Sequence, residues 1–102
     1  MQSTEVMLLV IALGEVVYSK VGRDASKRFV IIELVDESYV MIADGALRRI
    51  ERPKKKKLKH LRLTGEVLGA LNEKLKNGMK VTNSDIRKAL ADVDGRENAI
   101  NG

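Results

Sequence analysis

The chain has 102 residues, no cysteine, 44 % hydrophobic and 32 % charged residues, and a formal net charge of +5. Such a composition describes a soluble folded protein of one domain, or one small domain with an appendage, whose core is modest and leaves no room for a large cleft. It excludes disulfides, thiolate metal sites and a cysteine nucleophile, and it fits a reducing compartment, the cytoplasm by default.

The apolar run "VMLLVIAL", residues 6–13, falls well short of the roughly 18 residues that a membrane span needs. Glu5 and Glu15 flank it where a signal peptide would carry a basic residue and a small-residue cleavage site. The run reads as a buried strand or a first helical turn, and no membrane partner is expected.

From Gly14 to Arg52 the pattern is one of short strands: "EVVYS", "RFVIIEL", "YVMIA" and "LRRIE", each rich in β-branched or aromatic residues. Turn chemistry separates them. "KVGRDAS" and "DES" divide the first three, and Asp44-Gly45 predicts a two-residue hairpin with positive φ at both positions. Near-continuous "FVIIEL" predicts a central strand covered on both faces, whereas the alternation in "LRRIE" predicts an edge. Four or five strands in some fifty residues predict a small barrel. Pro53 then ends strand pairing, and the lysines after it are expected on an exposed segment.

Helical periodicity begins beyond the lysines. Thr64 is placed to cap a helix carrying Val67, Leu68, Leu71 and Leu75, ended by a left-handed glycine at Asn77-Gly78. Thr82 and Asp85 have capping-box spacing, and Ile86, Ala89, Leu90 and Val93 form the stripe of a second helix that runs out at Gly95, before a polar tail, "RENAING", expected to fray. The division expected is a barrel with a basic extension over residues 1–62 and a helical pair over 63–102, packed on or beside the barrel.

The stretch between these parts carries the functional signal. "RRIERPKKKKLKHLR", residues 48–62, holds nine lysines and arginines and one glutamate, a local charge of +8, so the remaining residues together carry −3. Cations packed this closely repel one another, and folding alone gives no reason to cluster them. A polyanion does, because neutralised phosphates release condensed counterions. "PKKKK" also resembles a nuclear-import signal, but nothing else in the chain points to the nucleus. An anionic membrane surface is disfavoured because the run lacks the apolar face of an interfacial helix.

The strands beside this run resemble a KOW motif: in "GEVVYSKVGRDASKRFVII", Gly14 opens a strand, Val16 and Val17 fill it, Gly22-Arg23-Asp24 make the loop, and "RFVII" returns. With "YVMIADGALRRIERPKKKKLKHL" following, residues 14–64 are similar to small bacterial KOW-domain RNA-binding proteins, relatives of a KOW-containing protein of the archaeal and eukaryotic large ribosomal subunit. The resemblance implies an SH3-like barrel and RNA as partner, ribosomal RNA above all. Ala25-Ser26 stand where the family's loop usually has a second glycine, so this loop is predicted to depart from the family's positive-φ turn.

Catalysis has little to work with. His60, the only histidine, sits among cations that disfavour its protonation, and the carboxylate pairs Asp36-Glu37 and Asp92-x-Asp94 fall at turns or a helix end. No phosphate-cradling glycine pattern is present. With three aromatics, Tyr18, Phe29 and Tyr39, base stacking is limited, and backbone and shape recognition of a folded RNA is expected. The residues expected to bind RNA are Lys20, Arg23, Lys27 and Arg28 from the first hairpin and Arg48, Arg49 and Arg52 from the expected edge strand. Lys54, Lys55, Lys56, Lys57, Lys59, His60 and Arg62 join them from the basic segment. Gly14, Gly22, Asp24, Asp44 and Gly45 are expected to shape the turns. No metal, cofactor or small-molecule substrate is expected. The rival reading is a protein-interaction adaptor in which the helical pair docks a partner through Leu71, Leu75, Ile86 and Leu90 while the lysines bind an acidic surface. A DNA-reading helix-turn-helix is disfavoured by the long connection "NGMKVTN".

Overall fold

A computed structural model describes the backbone of residues 11–101 and the side chains of residues 11–96. The strand or helical turn expected over residues 6–13 therefore lies, up to residue 10, outside the described residues. β1 (Glu15–Ser19), β2 (Arg28–Leu34) and β3 (Tyr39–Ala43) form where the β-branched runs lie and pair as an antiparallel meander, with Val17 opposite Phe29 and Ile31 opposite Ile42.

The fourth strand is a correction. "LRRIE" is loop, and the lysine run is itself the strand: β4 (Lys54–Lys57) pairs with β3, Lys54 opposite Ile42 and Lys56 opposite Val40. Lysine is a poor strand former, but an edge strand needs only one ladder, and Pro53 tolerates the position just ahead of one. The Asp44-Gly45 hairpin also fails. Gly45 has φ +80° but Asp44 is not left-handed; its carboxylate instead accepts hydrogen bonds from the Ala46 and Arg48 amides, at 2.9 and 2.8 Å. An Asx turn thus replaces a primed turn.

A 3-10 turn (Leu58–His60) leads into β5 (Leu61–Val67), which lies antiparallel to β1. The helix expected from Thr64 is therefore strand for its first turn. Thr64 bonds the Val16 carbonyl, Gly65 bulges at φ +77°, and α1 (Gly69–Lys76) starts late, with Leu68 in place of Thr64 at its cap. The division expected between residues 62 and 63 falls inside β5. The strand order β4-β3-β2-β1-β5 makes an open five-stranded antiparallel sheet. α1 ends as expected, with Gly78 at φ +67° and the Met79 amide reaching the Lys74 carbonyl. α2 (Asn83–Asn101) opens on the expected capping box, in which Thr82 and Asp85 exchange bonds of 3.0 Å, but runs through Gly95 instead of stopping there.

Two apolar clusters lie on opposite faces of the sheet. Ile11, Val17, Phe29, Ile31, Val40, Ile42, Leu58 and Leu61 form one; Val16, Val30 and Ala43 meet Leu71, Val81, Ile86, Leu90 and Val93 of the helical half in the other. β2 contributes to both, as its unbroken apolar run predicts. Both helices spend their stripes on the sheet: Leu71, Ile86 and Leu90 are buried and Leu75 packs beside them. Among the described residues no helix is long and apolar enough to cross a membrane.

Candidate nucleic-acid interface

Strand alternation divides the lysines of β4 between two faces. Lys54 and Lys56 share the face of Ile42 and Val40, and Lys56 is 8 % exposed, its aliphatic stem lying along the first cluster. Lys55 and Lys57 take the other face, with their ammonium groups 4.7 and 5.9 Å from the centroid of the Tyr39 ring. One tyrosine thereby positions two cations.

The 3-10 turn extends this surface. Buried Leu58 anchors it, exposing Lys59 and leaving His60 half-buried, and the His60 carbonyl accepts the Lys20 amide at 2.8 Å. The loop after β1 is thus fastened beside the end of β4. Burial, then the charges of Lys59, Lys57, Lys56 and Lys20, hold the His60 imidazole below its ordinary pKa of 6.5. Arg62 follows on β5, its guanidinium 4.5 Å above the Tyr18 ring. Tyr18, Ser19, Lys20, Ser26 and Arg62 line a hollow of about 470 Å³.

A second group of cations surrounds Asp24. This carboxylate, with a side chain 9 % exposed, lies 3.1 Å from Lys54 Nζ and 3.7 Å from Arg48, with Lys27 nearby. Burial pushes its carboxyl up, but the Lys54 bond and the charges of Lys54, Arg48 and Lys27 outweigh burial and hold it below its ordinary 3.8. The loop that carries Asp24 does make a positive-φ turn, contrary to expectation. Ser26 takes it at φ +71°, the one such non-glycine among the described residues, with its amide on the Ser19 carbonyl at 2.8 Å. Serine accepts there the left-handed conformation that glycine takes more readily.

The remaining expected residues are dispersed. Arg28 binds Asp94 through both nitrogens of its fork, at 2.8 Å for Nε, and ties α2 to β2. Arg49 lies 3.7 Å from Glu51 on the surface, while Arg23, Lys27 and Arg52 are exposed. Gly14 and Gly45 prove to be close-approach positions, and an added Cβ would meet Asn72 N at 2.9 Å and Asn83 O at 2.5 Å respectively. At Gly22 there is only open space. Sequence reasoning missed Asn83, which is only 7 % exposed, accepts the Ile50 amide at 2.7 Å and donates to Glu51 at 2.8 Å, holding the 44–53 loop against α2. Its position one residue after the capping threonine carried no such signal. Among the described residues no three histidine or carboxylate groups gather to hold a metal.

Replacing Asp24 by Asn leaves three cations facing one another without their anion. Lys54 and Arg48 are 32 % and 40 % exposed, so solvent screens part of the loss, and stability is expected to fall by about 1–2 kcal/mol at pH 7. Because the folded pKa is depressed, this difference is complete above about pH 4 and disappears as pH falls through the folded value. Denaturant titrations of both proteins at several pH values measure it.

No protein-family model matches the chain, and no curated protein matches it.

Proposed function

We propose that the protein is a non-enzymatic RNA-binding module of the cytoplasm that grips the phosphate backbone of a structured RNA with β4, the turn after it and the loop beside it. The carrying observation is the cation surface itself: Lys20, Lys55, Lys57, Lys59 and Arg62 form no ion pair among the described residues, yet β4, Leu58, Tyr39 and Tyr18 fix where they stand. Charges held close without an internal counterion gain most from an external polyanion. Five such contacts predict log K falling by roughly 3.5–4.5 per decade of salt. Such contacts hold a backbone and carry no sequence information.

The SH3-like barrel belongs to this reading. Both edges of the sheet, β4 and β5, are joined directly by the three-residue 3-10 turn, and Leu58, Leu61, Val17 and Val40 share one cluster inside the bend. Together with the resemblance of residues 14–64 to KOW proteins, that geometry makes large-subunit ribosomal RNA the partner to test. Ultraviolet crosslinking in the native cell, with sequencing of the attached RNA, is expected to return one sharp site in that RNA. Scattered crosslinks would reduce the basic surface to a non-specific patch.

A second reading is favoured by the edge position of β4, since lysines on an edge strand discourage pairing with another chain. It accounts for Lys55 but not for Lys59, Lys20 and Arg62, which lie beyond the strand. The adaptor loses support because the stripe it needs is buried on the sheet.

Histidine titration offers a further test. A phosphate among Lys20, Lys56, Lys57 and Lys59 reverses the field on His60, so binding takes up a proton. Affinity is expected to rise a few-fold from about pH 7.5 to about pH 6, and His60→Gln to abolish that rise. The free protein moves oppositely: its folded state resists protonation more than its unfolded state, so stability falls as pH drops through 6.5. Fluorescence titrations with labelled RNA at each pH separate the two.

A further inference from the structure

Leu47 is 68 % exposed, the highest value among the exposed large hydrophobic side chains of the described residues, and it stands in a hollow of about 470 Å³ with Arg48, Arg49, Glu51 and Arg52. A single exposed leucine is ordinary. This one is singled out by the loop beneath it, which is tied at several points. The Asp44 carboxylate holds the Ala46 and Arg48 amides, Arg87 donates to the Gly45 carbonyl at 2.7 Å, Asn83 holds Ile50 and Glu51, and Ile50 packs into the helix-side cluster. A loop with its neighbours so fully fastened presents Leu47 outward in one place, in a hollow that the exposed Arg49 and Arg52 also line.

Resting on the RNA-binding reading, we propose that Leu47 is an apolar wedge that enters an unstacked step of the RNA, such as a single-nucleotide bulge, while the exposed Arg49 and Arg52 hold the flanking phosphates and Arg48 stays on Asp24. Leucine is among the side chains that insert between base steps, and the arginine fork matches phosphate geometry. A regular A-form stem offers no such opening, whereas a bulge exposes base faces to an inserting side chain. The surrounding charge makes a nucleic acid the occupant, because an apolar protein partner would have to desolvate the exposed Arg49 and Arg52 to reach one leucine.

Two hairpin RNAs of about 16 base pairs test this, one fully paired and one with a single-nucleotide bulge. The intact protein is expected to prefer the bulged stem by about tenfold, which corresponds to about 1.4 kcal/mol. Leu47→Ser should abolish that preference without changing the salt slope, because an apolar contact releases no counterions. Leu47→Met keeps the wedge and should keep the preference, and Arg49→Gln should lower the slope by roughly 0.7–0.9 with the preference intact. Retention of the preference by Leu47→Ser, or its absence from the intact protein, overturns the wedge while leaving phosphate binding standing. Failure of the intact protein to bind either stem overturns both readings.

Discussion

Replacing Lys20, Lys55, Lys57 and Lys59 together by glutamine is expected to lower affinity for structured RNA by several hundredfold at about 0.15 M salt. The same change should reduce the salt slope by about 3, since every phosphate that is no longer neutralised takes roughly 0.7–0.9 from it. The four positions are chosen because their charges form no ion pair among the described residues: Lys20, Lys55 and Lys59 are exposed, and Lys57 is half-exposed beside Tyr39. Neutralising them relieves repulsion and leaves both apolar clusters untouched, so thermal stability should hold or rise slightly. Filter binding at four salt concentrations reads the affinity, and a melting curve verifies the fold. An unchanged slope in a folded variant would remove this surface from RNA binding altogether.

The largest effect on stability is expected at Gly45. Alanine there must hold φ at +80°, at a cost of roughly 1–2 kcal/mol, while its Cβ would stand 2.5 Å from the Asn83 carbonyl oxygen and 3.0 Å from Arg87 Cγ. The carbonyl belongs to the first turn of α2, so the loop must lift off the helix or the helix must shift. Gly45→Ala should therefore destabilise by about 3 kcal/mol or more, lowering Tm by roughly 15 °C. Gly22 supplies the control: it has φ +77° but open space around it, so Gly22→Ala should cost only the conformational part, about 1 kcal/mol. Equal losses in the two variants would show that the close approach to α2 contributes nothing. Thermal denaturation of both proteins decides it.

What the sequence made legible divides along physical lines. β1, β2 and β3 were readable because β-branched runs separated by turn residues depend on local preference. The α2 capping box and the Gly78 cap were readable for the same reason. Errors fell where tertiary context prevailed. "LRRIE" alternates like a strand yet is loop, since Asn83, distant in sequence, captures the Ile50 amide. Lysine has little strand preference, yet Lys54–Lys57 complete a ladder on β3 while Tyr39 and Asp24 receive their ammonium groups. The spacing of Leu68, Leu71 and Leu75 correctly identified a face that packs on the sheet, but Gly65 and the Thr64 bond to Val16 keep Val67 in β5.

Charge was legible differently. Counting identified residues 48–62 as the basic centre, and the structure sorts those cations by use. Arg48 and Lys54 neutralise Asp24, Lys56 lays its stem on the core, and Lys55, Lys57, Lys59 and Arg62 face outward or lie over tyrosine rings. Linear order contains no trace of that division, because Asp24 reaches Lys54 across thirty residues of chain. Lys20 joins the group in the same way, through a single backbone bond to His60.

The most direct measurement of the central claim is an NMR titration of the labelled protein with a structured RNA, following every backbone amide. Phosphate gripping by β4 and its surroundings predicts that the largest shifts fall on Lys54 to Arg62, on Lys20 and on the loop through Lys27, and that added salt diminishes them. Shifts centred on the outer faces of α1 and α2, with residues 54–62 unmoved, would contradict it.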